Sequence, residues 1–117
     1  MHTVLVIDDH IPTLITLCLI LKGNGYSVLD ARNAEQAERL FSDNPVDMVV
    51  VDHGLPGITG SDLAAKLKRI RKVLVLMLSG NPELRSKPTS VDLLLPKPQL
   101  VPELLSAMRE LFASAEA

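Results

Sequence analysis

Short apolar runs separated by helix-like segments recur along the whole chain. The first run, residues 3–7, is almost entirely apolar and β-branched, which is typical of a strand buried on both faces. Further strands are predicted at residues 26–31, 46–51, 72–78 and 91–95. Between them, apolar side chains recur every three or four positions, as on the buried face of a helix. This alternation predicts an α/β fold, with a parallel sheet covered by helices on both faces.

The helical segments carry start and stop signals. Pro12 suits the first turn of a helix, and the glycines and asparagine at residues 23–25 end it, since they accept left-handed backbone angles easily. Asn33 is predicted to cap the second helix, with Gln36 three residues later as in a capping box. A third helix is predicted to begin at Gly60 or Ser61. The last helix is predicted to span about residues 101–113.

The stretch from Gly80 to Ser90 breaks this pattern. Pro82 and Pro88 leave little room for a helix, because proline removes a backbone donor and restricts the residue before it. We therefore predict one turn or an irregular loop there, so that the fourth helix of the alternating pattern is shortened or missing.

Composition restricts the class of protein. The chain has 117 residues and a formal net charge of −2, so it has no general basic surface for nucleic acid. A single cysteine, Cys18, excludes an intrachain disulfide framework and fits a reducing compartment. The most apolar stretch, residues 14–21, is interrupted by Thr16 and is too short to span a bilayer, and no signal-peptide pattern opens the chain. These features predict one cytoplasmic domain over residues 1–117, with no output domain.

Polar side chains follow the predicted strands at the point where each strand ends: Asp8, Asp9, Asp52, Ser79 and Lys97. Because the carboxyl ends of parallel strands meet at one edge of a sheet, we expect these residues to share a site. Three carboxylates repel each other unless a cation joins them, and Mg²⁺ is held by carboxylates, waters and phosphate oxygens. An ammonium group would complete the charge pattern for a phosphoryl group, and an aspartate can itself accept one.

Each of these residues also has an ordinary structural interpretation. In chain order they could be a helix cap (Asp8 and Asp9), a turn aspartate (Asp52), a turn serine (Ser79) and a solvated lysine (Lys97). Their agreement on one sheet edge favours the shared site. His10 and His53 flank the acids, and we interpret both as surface residues because no third ligand lies at metal-binding spacing.

Taken together, the chain resembles the receiver domain of two-component response regulators, and the resemblance covers essentially all of it. The matching residues are Asp8-Asp9, Asp52, Leu55-Pro56-Gly57, Gly60, Ser79 and Lys97-Pro98. The resemblance implies a flavodoxin-like, doubly wound sheet of five parallel strands in the order 2-1-3-4-5. It also implies that Asp52 accepts a phosphoryl group from a phosphohistidine of a partner kinase or phosphotransfer protein.

The same resemblance implies the other roles in the site. Ser79 would be a switch hydroxyl, and Lys97 would contact the phosphoryl group. The ligands of Mg²⁺ would be Asp8, Asp9, Asp52 and the backbone carbonyl of Gly54. Such a chain catalyses only its own phosphorylation and dephosphorylation, so it is not an enzyme with a separate substrate, and it signals by conformational change and protein contacts.

Two departures from the family pattern leave an alternative open. Leu94 occupies the position, three residues before the lysine, where receivers usually carry Tyr or Phe. The shortened fourth helix would alter the usual output face, so we hypothesise that the chain does not dimerise through it. Both features favour a pseudo-receiver, a protein-binding module that acts without phosphorylation. Gly54 argues against a haloacid-dehalogenase-type phosphohydrolase, which needs an acid there, and 3% aromatic residues argue against a flavin carrier.

The first predicted helix is more apolar than one buried face requires. If Leu14, Leu17, Ile20 and Leu21 face the sheet, the opposite side carries Ile15, Cys18 and Leu19. Exposed apolar stripes mark partner sites, and in receivers the first helix commonly docks on the helical bundle of the kinase. These three residues are therefore the predicted partner surface, with a homodimer as the other interpretation. No nucleic-acid or membrane partner is predicted.

Overall fold

A computed structural model describes residues 2–80, 89–97 and 101–116. Their strands are β1 (Thr3–Ile7), β2 (Ser27–Ala31), β3 (Met48–Asp52), β4 (Gly54–Leu55), β5 (Ile58–Thr59), β6 (Leu74–Ser79) and β7 (Leu93–Pro96). Five of them form one parallel sheet in the order β2-β1-β3-β6-β7. Counted without the two short strands, this is the predicted order 2-1-3-4-5. The doubly wound fold class is confirmed.

The described helices are α1 (Ile11–Gly23), α2 (Ala34–Asp43), α3 (Gly60–Ile70) and α4 (Val101–Glu116). The predicted cap of α2 is confirmed, since the Asn33 side chain accepts a hydrogen bond from the Gln36 N–H at 2.9 Å. Helix α1 instead has His10 at its N-cap, without a side-chain capping bond. The alternative interpretation of Asp8 and Asp9 as helix caps is therefore wrong, which leaves both carboxylates available for other contacts.

Residues 81–88, where the prolines predict a turn or loop in place of a fourth helix, lie outside the described residues. The described part of the chain accordingly contains four helices around the five-stranded sheet. None of them combines the length and the apolar character that a membrane span requires.

Two hydrophobic layers hold the helices against the sheet. Side chains alternate between the faces of a strand, so Leu5 of β1 enters one layer while Val4 and Val6 enter the other. The first layer includes Ala37 and Phe41 of α2 and Leu63 and Leu67 of α3. The second includes Leu14 and Leu21 of α1 and Leu104 and Met108 of α4. Because β1, β3 and β6 are covered on both sides, their carboxyl ends form a rigid edge.

The glycine- and proline-rich loop after β3 contains a small antiparallel hairpin. Strands β4 and β5 pair Leu55 with Ile58 across a turn at Pro56 and Gly57. Gly57 has a φ of +78°, as the third position of a type II turn requires. The hairpin returns the chain to α3, where the Gly60 N–H donates to the His53 carbonyl at 2.9 Å.

Gly60 is required by a close approach of backbones. A Cβ atom at this position would overlap the carbonyl oxygen of Asp52 and would lie 3.1 Å from the Cα atom of His53. The start of α3 is therefore packed directly against the end of β3. The hairpin and this contact together fix the backbone around Asp52.

The substitution Gly60→Ala should destabilise the protein, because the new methyl group meets backbone atoms that cannot move independently. We expect the free energy of unfolding to fall by about 1–3 kcal/mol. Gly54→Ala is the matched control, since nothing lies within 4 Å of its added Cβ, and its effect should stay within about 0.5 kcal/mol. Urea denaturation measures both variants. Equal effects would contradict the close approach.

Candidate functional site

Three carboxylates meet at the carboxyl edge of the sheet. Asp8 follows β1 directly and Asp52 is the last residue of β3, and the pairing of Ile7 with Val51 brings the two aspartates side by side. With Asp9 they offer one oxygen each within 4.8 Å of one another. Asp8 is only 1% exposed, whereas Asp9 lies at the surface. The predicted clustering of these acids is confirmed.

Lys97 supplies the positive charge of the site. Its Nζ atom lies 2.7 Å from Oδ1 of Asp52 and 3.3 Å from Oδ2 of Asp8. Since β6 separates β3 from β7, the lysine side chain spans the end of β6 to reach both acids. The interpretation of Lys97 as an ordinary solvated lysine is wrong, because its ammonium group bridges two carboxylates.

The pKa of Lys97 reflects two opposing effects. Burial of the ammonium would by itself lower the pKa, but the hydrogen bond and charge of Asp52, and then those of Asp8, outweigh it and raise the pKa. A raised pKa in the folded state means that the pairing stabilises the fold in full below the ordinary lysine value. The contribution is lost only as the pH rises through the raised folded value, in strongly alkaline solution.

Asp8 is held by the backbone as well as by Lys97. Its Oδ1 accepts a hydrogen bond from the His10 N–H at 2.9 Å, and its own N–H donates to the Ala31 carbonyl at 3.1 Å. A carboxylate this buried stays charged at low cost only when its oxygens have partners. The contacts explain why an acid is tolerated at the start of a helix that it does not cap.

Ser79 and Gly54 lie beside this charged group. Ser79 ends β6 and is buried, and its carbonyl accepts the Lys97 N–H at 2.9 Å. Gly54 opens the hairpin two residues after Asp52 and is exposed. Asp52 pairs with Leu78, the residue before Ser79. The roles of the Ser79 hydroxyl and the Gly54 carbonyl stay predictions.

The two histidines that flank the acids, His10 and His53, differ in their exposure to solvent. His10 is exposed, and its Nδ1 atom lies 2.6 Å from the Thr13 hydroxyl. His53 is half-buried, and its Nδ1 atom is buried without a hydrogen-bond partner in the described part of the chain. The interpretation of His53 as a surface residue is therefore wrong. The β4–β5 hairpin, which the sequence does not reveal, folds back beside it.

The predicted partner surface on α1 divides in the structure. Ile15 and Leu19 are exposed by 55% and 66%, as expected for a contact surface. Cys18 instead packs partly against the second hydrophobic layer, where burial first and the charge of Asp30 second raise the pKa of its thiol. The prediction that Cys18 lies on the outer side of α1 is therefore wrong, because its side chain faces the sheet and packs against the second layer.

Leu94 lies on the sheet face covered by α2 and α3. It pairs with Met77 of β6 and packs, partly buried, against the first hydrophobic layer. Leu94 therefore fills space beside the core and offers no polar group to the site.

The ligand set fits Mg²⁺. The group Asp8, Asp9 and Asp52 consists of carboxylates alone, with neither a thiolate nor an imidazole in it, and hard divalent ions prefer oxygen ligands. Asp9 is open to solvent, which leaves room for the waters that Mg²⁺ retains.

The family model for the response regulator receiver domain matches residues 4–109 of this chain. The chain belongs to this family. Its place there was predicted from the aspartates, the loop glycines and the lysine, and it is confirmed.

Among curated relatives, the phosphate regulon transcriptional regulatory protein PhoB of Pseudomonas aeruginosa is 37% identical over 67 residues, which is 57% of this chain and 29% of PhoB. The receiver chain thus spans under a third of that relative. A receiver domain protein from Clostridium thermocellum has a TM-score of 0.91 at 25% identity, covering 99% of this chain and 98% of the other. The response regulator TrrA from Thermotoga maritima, solved with Mg²⁺ and BeF, has a TM-score of 0.86 at 27% identity, covering 95% and 99%.

Lys97→Met tests the charge balance of the receiver site. Without divalent ions, the variant leaves buried Asp8 unpaired and should lower the free energy of unfolding at neutral pH by about 1–3 kcal/mol; partial exposure of Lys97 keeps this below the cost of breaking a fully buried pair. Added Mg²⁺ should restore part of the loss. Lys72→Met, at an exposed lysine near the opposite end of the sheet, is the control. Equal losses in the two variants would contradict the assigned role of Lys97.

Proposed function

We propose that this receiver is a phospho-acceptor of a two-component phosphorelay, in which Asp52 takes a phosphoryl group from a phosphohistidine of a partner protein. The observation that carries the proposal is the contact of Lys97 with Asp52 at 2.7 Å beside the cluster formed with Asp8 and Asp9. One nucleophilic carboxylate, a ligand set for a divalent ion and one ammonium group are the parts that phosphoryl transfer to an aspartate requires.

In the transfer step, a carboxylate oxygen of Asp52 attacks phosphorus while the phosphorus–nitrogen bond of the donor breaks. The electron pair of that bond stays on the donor imidazole. Asp52 thereby becomes an acyl phosphate. Its carboxyl group no longer carries a negative charge, and the charge lies on the phosphoryl oxygens. Lys97, now paired with Asp52, can follow this charge, because its flexible stem carries a compact point charge.

Mg²⁺, when bound by Asp8, Asp9, Asp52 and the Gly54 carbonyl, would neutralise charge on the phosphoryl oxygens. The chain's own residues hold the acceptor in place around that ion. Gly60 and the hairpin fix the Asp52 backbone, and Ser79 lies at the end of the strand between Asp52 and Lys97. The Ser79 hydroxyl would then donate to a phosphoryl oxygen.

Leu94 determines how the phosphorylated state is transmitted. A leucine packed against the first layer has no ring that could swing inwards beside a displaced Ser79. We propose that the response to phosphorylation passes through Ser79 and Lys97 into β7. We also propose that this chain does not dimerise through the usual output face of receivers. The retained charged cluster favours this over the pseudo-receiver alternative, which needs none of these groups.

The partner surface lies on α1. Ile15 and Leu19 project apolar side chains into solvent from a helix whose first charged residue is Lys22. On its other flank, α1 and α4 border a cavity of about 620 Å³ that adjoins Lys97. A helical partner, a histidine kinase or a phosphotransfer protein, could contact the exposed stripe while its phosphohistidine reaches Asp52.

The remaining properties follow from the same proposal. The reactions of the chain are its own phosphorylation and dephosphorylation, so it is not an enzyme with a separate substrate. Its net charge of −2 favours protein partners over nucleic acid for residues 1–117. A cytoplasmic location is part of the same proposal. The downstream partner would be another protein.

Intact-protein mass after incubation with Mg²⁺ and acetyl phosphate tests the acceptor. We expect a gain of one phosphoryl group that disappears in Asp52→Asn and in the presence of a chelator, because both remove part of the reacting centre. Asp43→Asn, at the exposed end of α2, is the matched control and should be phosphorylated like the original chain. A folded protein that gains no mass would instead support the pseudo-receiver.

Replacing Ile15 and Leu19 together by lysine tests the partner surface. Phosphotransfer from the cognate kinase should fall by about tenfold or more, since apolar anchors dominate such contacts. Phosphorylation by acetyl phosphate should persist, because both residues lie outside the reacting centre. Ile70→Lys, at an exposed isoleucine of α3, is the control. If the double variant loses phosphorylation from both donors, or if Ile70→Lys impairs kinase transfer equally, α1 is not the docking surface.

A further inference from the structure

The strand that ends at Asp52 and the strand that leads to Lys97 are each preceded by an aspartate that makes two hydrogen bonds to one residue of the neighbouring strand. We call this arrangement a clamp. Asp92, directly before β7, donates its N–H to the Val75 carbonyl and accepts the Val75 N–H on Oδ2, both at 2.8 Å. Asp47, directly before β3, donates to the Thr3 carbonyl at 2.8 Å and accepts the Thr3 N–H on Oδ2 at 2.7 Å. In each clamp, a side-chain carboxylate replaces a backbone carbonyl of the ladder.

Each clamp stands the same distance from a charged residue of the site. Asp47 precedes Asp52 by five positions (52 − 47), and Asp92 precedes Lys97 by five positions (97 − 92). At a rise of about 3.3 Å per residue, each clamp lies roughly 16 Å from the charge at the far end of its strand. The clamps therefore lie at the ends of β3 and β7 that are opposite to the charged site.

The surroundings of the two clamps differ. Strand β3 pairs with β1 on one side and with β6 on the other, so Asp47 adds to a register that two neighbours already define. Strand β7 is at the edge of the sheet and pairs with β6 alone. Its far end is joined to β6 by the Lys97 N–H bond to Ser79. At its near end, the Asp92 clamp extends the ladder that begins with the pairing of Leu93 and Leu76.

A third group reinforces the Asp92 clamp. The Nζ atom of Lys68 in α3 lies 2.8 Å from Oδ2 of Asp92, the same oxygen that accepts the Val75 N–H. The clamp therefore ties the edge strand both to its neighbour and to the helix that covers it. Val91, which is buried, and Ser90, whose hydroxyl donates to the Ser61 carbonyl at 2.8 Å, tie the preceding residues to the α3 side only.

We propose that Asp92 is a positioning residue for phosphoryl transfer, which sets the register of β7 on β6 and so places the Lys97 ammonium against Asp52 and Asp8. A shift of one residue along β7 would move Lys97 by about 3.3 Å and turn it to the other face of the sheet. Its contact of 2.7 Å with Asp52 does not survive such a shift. The inference rests on the proposed function, since it assigns Lys97 a part in the transfer.

The test measures phosphorylation by acetyl phosphate with Mg²⁺ in the full chain, in a double-mutant cycle between Asp92→Ala and Lys97→Met. Misplacing a reacting group by about 1 Å can cost on the order of 10²-fold in rate, so we expect Asp92→Ala to be slower by roughly tenfold or more. In the Lys97→Met background the same substitution should cause no further slowing, because the lysine through which Asp92 acts is absent.

Three further variants separate position from stability. Asp92→Asn keeps an oxygen for the Val75 N–H and should retain most of the rate. Asp92→Glu keeps the charge near Lys68 but moves the carboxylate by one methylene, so it should be slowed like Asp92→Ala; it also replaces that variant if alanine prevents folding. Asp47→Ala is the matched control, which removes the same clamp from a strand held on both sides and should leave the rate within about twofold of the original.

Amide hydrogen exchange provides a second readout that does not depend on phosphorylation. The Lys97 amide, bonded to the Ser79 carbonyl, should lose protection in Asp92→Ala and keep it in Asp47→Ala. If the original chain is not phosphorylated at all, the proposed function fails and this exchange measurement alone decides the positioning role. Equal slowing by Asp92→Ala with and without Lys97, or an unchanged Lys97 amide, would overturn the inference and leave Val91 and Ser90 as sufficient anchors.

Discussion

A buried carboxylate held by one ammonium group organises this receiver. Asp8 is almost completely removed from solvent. Lys97 reaches across the end of β6 and contacts both Asp8 and Asp52. Without that bridge, the fold would contain an uncompensated buried charge beside two more carboxylates, which repel each other. The pairing of Ile7 with Val51 and of Asp52 with Leu78 brings the strand ends together, and Lys97 follows β7 directly.

The two hydrophobic layers make the edge stiff enough for such a cluster. Strands β1 and β3 are apolar on both faces and lie between two pairs of helices, so the positions of Asp8 and Asp52 follow from packing that neither residue takes part in. Strand β7 has no such support on its outer side. Its leucines are only partly buried, and polar contacts at Asp92 and at the Ser79 carbonyl add to its pairing with β6. Polar contacts at an edge yield more easily than a packed core.

The chain belongs to the receiver family and departs from the family pattern at Leu94. Leu94 pairs with Met77 and extends the first hydrophobic layer, so it places an aliphatic side chain where the family pattern has an aromatic ring. Helix α1 presents Ile15 and Leu19 to solvent.

The amino-acid sequence by itself determined the order of the elements, the parallel sheet and the residues of the charged cluster, because hydrophobic periodicity is local and the ends of parallel strands converge. Strand boundaries differed by up to two residues, as at β7, which begins at Leu93 instead of residue 91 and ends at Pro96 instead of residue 95. The tertiary structure alone decided the contacts between residues that are distant in the chain. The hairpin after β3, the orientation of Cys18, the burial of His53, the backbone contact at Gly60 and the Asp92 clamp all depend on which surfaces meet, and no local pattern of apolar and polar residues records that.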